Sequence, residues 1–117
     1  MTLKLSYQQG ASEQPLLNDT IGAAFDRAVE QYPEHMALIV RHQNIRWNYK
    51  EYQAQVNNLA TGLLALGVKP GDRIGIWSPN NVQWCLSQFA SAKIGAVLVC
   101  INPAYRLYEL EYVLNKV

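Results

Sequence analysis

Residues 96–101 read Ala-Val-Leu-Val-Cys-Ile without a polar interruption, and few folds can accommodate such a run. It is too short to cross a bilayer, which takes roughly 20 apolar residues in a helix. A strand apolar on both faces belongs instead inside a parallel sheet covered by helices. The preceding sequence supplies the rest of that unit. Arg73–Trp77 reads as a strand and 81–93 as a helix closed by Gly95, so the order is strand, helix, strand, a parallel βαβ unit. The expected fold class is therefore α/β.

Upstream, Ile21, Ala24, Phe25, Ala28, Val29 and Tyr32 recur at helical steps after Thr20, and Pro33 ends the pattern. Residues 37–41 and 45–49 are β-prone runs separated by His42, Gln43 and Asn44, which is the pattern of a hairpin. Asn48, with Glu51 three residues on, has the form of a capping box opening a helix whose stripe is Tyr52, Val56, Leu59, Ala60, Leu63 and Leu66. Gly67 marks its end, and Pro70-Gly71-Asp72 turns the chain into the strand at Arg73. Beyond Asn102 and Pro103 a last amphipathic helix passes through Leu107, Leu110, Val113 and Leu114. Residues 1–18 show no sustained period and read as an extended leader. Residues 19–117 read as part of an α/β domain truncated at its C-terminal end, before its sheet is complete. An isolated fragment of that kind is expected to self-associate through exposed apolar faces.

The chemical signatures are sparse. Lys and Arg total 10 against 9 Asp plus Glu, scattered without a basic run, so no nucleic-acid partner is expected. Cys85 and Cys100 have neither paired spacing nor a neighbouring histidine; no metal site is expected, and both thiols read as buried and inert. His35 and His42 stand beside charged residues and read as surface groups. The turn Trp77-Ser78-Pro79-Asn80-Asn81 lacks the glycines that would bring backbone amides to a pyrophosphate, so its Ser and Asn read as helix caps. Trp47, Trp77, Trp84, Tyr105, Tyr108 and Tyr112 could line an apolar pocket, with core packing the plainer account. Residues 1–15 show neither a secretory signal nor an arginine-rich amphipathic presequence, which makes the cytoplasm the expected location.

A set of short motifs in fixed order carries more. Gly62-Leu63-Leu64 is followed by Leu66-Gly67-Val68-Lys69-Pro70-Gly71-Asp72-Arg73-Ile74, then Pro79-Asn80-Asn81, then Ala92-Lys93-Ile94-Gly95-Ala96-Val97. Ile101-Asn102-Pro103-Ala104-Tyr105-Arg106 and Glu109-Leu110-Glu111-Tyr112-Val113-Leu114 complete the set. This series resembles the N-terminal segment of the adenylate-forming, AMP-binding acyl-CoA synthetases. Within them it is most similar to the branch containing acyl-CoA synthetase family member 2 and bacterial fatty-acyl-CoA synthases. Asn48 and Tyr52 depart from the Thr and Leu of the family pattern.

The resemblance implies the N-terminal part of the ligase large domain. It further implies an ATP-dependent fatty-acid–CoA ligase, medium-chain in that branch, with ATP, Mg2+ and CoA serving the complete enzyme. In the family the Ser/Thr/Gly-rich phosphate loop, the adenine and ribose motifs and the catalytic lysine occur on segments with no counterpart here. No catalytic residue is therefore assigned to this chain, and the isolated fragment is expected to be inactive and to bind none of these cofactors tightly. One transfer is made: Asn102, Pro103 and Ala104 correspond to a loop near the CoA entrance. The alternatives are a non-enzymatic α/β interaction module, or a ligase of the same superfamily acting on an aryl or amino acid.

Overall fold

The computed structural model describes residues 6, 7 and 9–117. Its elements run α1 (Ile21–Gln31), β1 (Met36–Val40), a single 3-10 turn (Arg41–Gln43), β2 (Ile45–Asn48), α2 (Tyr49–Ala65), β3 (Arg73–Trp77), α3 (Val82–Lys93), β4 (Val97–Ile101) and α4 (Leu107–Lys116). The described residues before α1 contain no helix or strand, and Met1–Leu5 and Gln8 of the leader lie outside the description. β1 and β2 pair antiparallel, with an irregularity between Met36 and Leu38, and β3 and β4 pair parallel in a separate sheet. The fold is thus mixed α/β with a parallel βαβ unit.

Local chemistry accounts for the element starts. Thr20 Oγ1 accepts from the Ala23 amide at 3.1 Å and caps α1. The capping box of α2 closes in both directions: the Glu51 amide donates to Asn48 Oδ1 at 2.8 Å and the Asn48 amide to Glu51 Oε2 at 2.9 Å. At α4 only half of such a box exists. The Arg106 amide donates to Glu109 Oε2 at 3.1 Å, and a guanidinium, which accepts nothing, cannot return the bond.

The core lies among three helices and the hairpin. Phe25 and Val29 of α1, Tyr52, Val56 and Ala60 of α2, and Ala90 of α3 form one buried cluster, with Leu38 and Trp47 of the hairpin packed against it. Phe25 stacks on Phe89 with ring centroids 4.4 Å apart and meets Tyr52 edge-on at 5.3 Å. The Tyr52 hydroxyl donates to the Cys85 carbonyl at 2.8 Å. Burial, with the Cys85 thiol adding to it, pushes that hydroxyl well above the ordinary tyrosine range, so it stays a donor.

Some expectations are corrected here. Leu66 is exposed, so the buried stripe of α2 ends one turn earlier, at Leu63. Cys85 is half-buried against the core, but Cys100 is exposed. Of the six aromatics, Trp47 packs on the core, whereas Trp77, Tyr108 and Tyr112 are at least half exposed. α3 packs against both parallel strands, Ile76 and Ile101 are buried, and Val97 remains exposed. His35 and His42 are exposed, as read from the sequence.

One polar cluster ties the helices together. Lys93 Nζ, at the end of α3, donates to Asp26 Oδ1 of α1 and, at 2.8 Å, to Asn57 Oδ1 of α2, and it lies 5.6 Å from the Phe25 ring centroid. Gln53 Nε2 donates to the same Asp26 oxygen at 2.7 Å. Burial works to raise the Asp26 carboxyl, but the hydrogen bonds from Lys93 and Gln53, with the Lys93 charge, outweigh it and hold the pKa below the ordinary 3.8.

The parallel pair is started by two turns bonded to each other. Lys69-Pro70-Gly71-Asp72 closes with the Asp72 amide donating to the Lys69 carbonyl at 3.0 Å, and Gly71 takes φ +88°, as the third position of a type II turn requires. The Gly71 amide donates to the Gly95 carbonyl at 2.8 Å and the Val97 amide to the Asp72 carbonyl at 2.8 Å. Gly95 itself has φ +76°, and a Cβ there would stand 3.2 Å from Pro70 Cβ.

Two outcomes follow from this anatomy. Gly95→Ala should lower stability by about 1–3 kcal/mol, from left-handed backbone strain plus the Pro70 contact, as read by urea unfolding. Asp26 titrates below its unfolded value, so its stabilisation is complete above pH 3.8 and is lost as pH falls through the folded value. Lys93→Met should flatten that acid limb in urea midpoints measured across pH.

Candidate functional site

β3 and β4 end side by side, with Trp77 opposite Ile101, and in an open α/β sheet ligands bind beyond the carboxyl ends of such strands. An open cleft of about 500 Å³ lies there, lined by Ser78, Pro79 and Asn80 after β3, Trp84 of α3, and Cys100, Ile101, Asn102 and Pro103 at the end of β4. Of the residues singled out from the sequence, Asn102 and Pro103 therefore line the cleft. Ala104 is exposed and not among its lining residues.

The loop after β4 is closely bonded. Asn102 Oδ1 accepts from the Ala104 amide at 3.0 Å, an Asx turn. The Asn102 carbonyl accepts from the Tyr105 amide at 3.0 Å and from Trp77 Nε1 at 3.1 Å. Trp77, half exposed, thus ties the end of β3 to the loop after β4.

The opposite wall is the turn into α3. Asn81 Oδ1 accepts from the Trp84 amide at 2.9 Å, and Asn81 Nδ2 donates to Ser78 Oγ at 2.7 Å. Gln43, from the hairpin, reaches across: its Oε1 accepts from the Val82 amide at 2.7 Å, and its Nε2 donates to Gln83 Oε1 at 2.9 Å. The cap assigned to Asn81 from sequence is present, and Ser78 serves it indirectly by accepting from Asn81. Gln43 escaped the sequence reading, and Trp84, named there among aromatics that could line a pocket, was given core packing as the plainer account. Trp84 sits at a helical step among apolar residues, which reads as core. Gln43 looks like an ordinary loop residue until the hairpin is docked on α3.

A helix N-terminus attracts anions through its free amides. Here the Val82 and Trp84 amides are already engaged by Gln43 and Asn81, so this end of α3 is not an open phosphate site. Among the described residues no group of three or more His, Cys, Asp or Glu is gathered, and no carboxylate lines the cleft. No described helix is long and apolar enough to cross a membrane. The cleft offers shape, an indole and a few amide and hydroxyl groups, which suits an extended, largely neutral ligand portion.

Parallel strands with an open cleft at their ends and helices packed on them define an α/β fold, and comparison with known proteins places it. The chain matches the family described as AMP-binding enzyme over residues 25–117, and it belongs to that family. It is 45% identical over 113 residues to the medium-chain acyl-CoA ligase ACSF2, mitochondrial, of Mus musculus, covering 97% of this chain and 18% of that protein. The putative acyl-CoA synthetase YngI of Bacillus subtilis is 38% identical over 86% of the chain, again 18% of the relative. Among solved structures, a fatty acyl CoA synthetase of Mycobacterium tuberculosis superposes with a TM-score of 0.78 at 32% identity, covering 81% of this chain and 19% of that one. The N-terminal subdomain of NpsA from Klebsiella oxytoca, in complex with anthranilyl-AMSN, superposes at 0.77 with 26% identity and 82% of this chain covered. The chain thus spans about a fifth of the length of the relatives it matches.

The Trp77 tie is open to a direct check. Trp77→Phe keeps an aromatic ring and removes the donor, at an expected cost of about 0.5–1.5 kcal/mol. Amide exchange at Ala104 and Tyr105 should accelerate through local opening, while exchange in the α2 core rises by no more than the loss of global stability requires.

Proposed function

We propose that this chain is the N-terminal segment of an ATP-dependent fatty-acid–CoA ligase, with residues 19–117 forming part of its large domain. The observation that carries the reading is the 45% identity over nearly the whole chain to a medium-chain acyl-CoA ligase. In such a ligase the fatty carboxylate attacks ATP to give an acyl-adenylate and pyrophosphate, and the CoA thiol then displaces AMP. Medium chain length is taken from that relative. The aryl-acid alternative draws its support from the 26% likeness to the NpsA subdomain bound to anthranilyl-AMSN. Family membership disfavours a non-enzymatic module.

The residues present divide the labour. With the α3 amides engaged and no carboxylate in the cleft, this segment fits neither the phosphates of ATP nor Mg2+, and no step is derived through either. What it can offer is a wall for CoA: Asn102 and Pro103 on one side, Asn80 and Trp84 on the other. The cytoplasm remains the proposed location, with the mitochondrial compartment of the ACSF2 relatives as the competing one. Exposed Leu107, Tyr108 and Tyr112 on α4 support self-association of the isolated chain, which sedimentation at increasing concentration would show as rising mass.

The CoA wall is tested in a protein carrying this segment together with the downstream ligase motifs. Pro103→Trp should slow thioester release about tenfold or more while ATP–pyrophosphate exchange stays within about twofold, because only the second step uses CoA. Equal loss in both steps, or no loss in a folded variant, assigns the loop a purely structural part. Residues 1–117 alone should release no fatty-acid-dependent pyrophosphate.

A further inference from the structure

Residues 78–81 contain no helix or strand, yet Ser78, Pro79 and Asn80 line one side of the cleft at the strand ends. Their own side-chain bonds are local: Asn81 Nδ2 donates to Ser78 Oγ, and Ser78 Oγ donates to the Pro79 carbonyl. β3 holds one end of this turn. The other end is held at Val82, whose amide donates to Gln43 Oε1 at 2.7 Å, while Gln43 Nε2 donates to Gln83 Oε1 at 2.9 Å. We infer that Gln43 is a positioning residue for the thioester-forming step, fixing the α3 wall of the cleft. The inference rests on the CoA reading proposed above.

Gln43 is suited to that part by the way it is mounted. It sits at the tip of the hairpin in the 3-10 turn Arg41–Gln43, where the Asn44 amide donates to the Arg41 carbonyl at 3.1 Å and Asn44 takes the left-handed φ of +52° that asparagine tolerates. The hairpin is seated on the core through Leu38 and Trp47. Gln43 is half-buried and uses both ends of its amide, so its side chain cannot rotate without losing two bonds. Among the described residues it is the one hairpin side chain hydrogen-bonded to α3. Val82 is buried, and without Gln43 its amide would lose its protein acceptor where water reaches it poorly.

Gln43 does not line the cleft, so its influence passes through the first turn of α3 to Asn80 and Trp84, which do. Releasing the tie lets that turn shift against the loop at Asn102, and small misplacements of a positioning wall are costly to rate. The cost falls on CoA, because the acyl-adenylate forms before CoA is used. The two bonds of Gln43 are unequal. One fixes a backbone amide of the helix, and the other joins the exposed side chain of Gln83. A carboxylate at position 43 keeps the first, loses the second, and suits the positive end of a helix.

The test uses a protein carrying this segment together with the downstream ligase motifs. Gln43→Met, similar in length and able to make neither bond, should raise KM for CoA about fivefold or more while ATP–pyrophosphate exchange stays within about twofold. Gln43→Asn, one methylene too short to reach Val82, should follow Gln43→Met and serves if the latter does not fold. Gln43→Glu, which keeps the acceptor, should recover most of the original affinity for CoA. Amide exchange at Val82 should accelerate in Gln43→Met and Gln43→Asn but not in Gln43→Glu. Equal loss in both half-reactions, unchanged KM and Val82 exchange in the folded variants, or Gln43→Glu as impaired as Gln43→Met would overturn the positioning role. Pro103→Trp, assayed beside them, separates the two readings. Slowed thioester release in Pro103→Trp with an unchanged KM in Gln43→Met removes the positioning role and leaves the CoA wall, whereas no effect in either variant removes both.

Discussion

A single ammonium group, that of Lys93, is where the helices of this segment meet. It is bonded to Asp26 on α1 and Asn57 on α2 while its own backbone ends α3, so one side chain sets the spacing of three elements. Its position at a helix C-terminus also places a cation where the peptide dipoles favour one. Asp26 is more than a third exposed, and a pair of that kind adds little stability by its charge alone. Its consequence is geometric. The chain passes from Lys93 straight into Gly95, whose carbonyl receives the Gly71 amide, so the point that locks the helices also starts the parallel strands in register.

α3 is held at its other end by different chemistry. Gln43 and Asn81 take its first amides, which docks the hairpin and closes the place where an anion would otherwise bind. The price of that closure is a segment that cannot cradle phosphate at this turn, and the benefit is a rigid wall. Trp84, in the first turn of the same helix, lines the cleft at the strand ends. A helix fixed at both ends holds that indole in place at the cleft wall.

Most of the architecture was legible because it is written locally. The Asn48–Glu51 capping box, the Pro70-Gly71-Asp72 turn, the stop at Pro33 and the apolar spacing of α1 and α2 each depend on residues a few positions apart. What escaped depends on distance along the chain. Lys93 and Asp26 are 67 residues apart, Gln43 and Val82 are 39, and no periodicity links such pairs. Leu66 and Cys100 fit apolar patterns and are nevertheless exposed, because a pattern records what a residue could bury and not which surface is present to cover it. One side of the candidate site, the loop at Asn102, was named from the family resemblance, and the rule that ligands bind beyond the ends of parallel strands directs attention to the same place. The other side, Ser78 to Asn80 with Trp84, was read as caps and core, and a residue can serve as both cap and wall.

That double use bears on what a segment to which no catalytic residue is assigned can contribute to the proposed ligase. Catalysis by positioning needs reacting groups held within fractions of an ångström, and side chains that hold them are themselves fixed by neighbours. Here the fixing groups are visible: Trp77 to the Asn102 carbonyl, Asn102 to Ala104, Asn81 to Ser78, Gln43 to Val82. The Trp77 and Gln43 bonds join distant parts of the chain, and the Asn102 and Asn81 bonds each tighten a single turn. A scaffold of this kind resists closing on an empty cleft, because collapse would break several bonds at once. The same bonds explain why its polar residues are poor candidates for chemistry: a group engaged in holding a wall is not free to exchange protons or coordinate phosphate. On the proposed ligase reading, chemistry therefore comes from groups outside the wall, and the part left to this segment is to help determine where the substrate lies when they act.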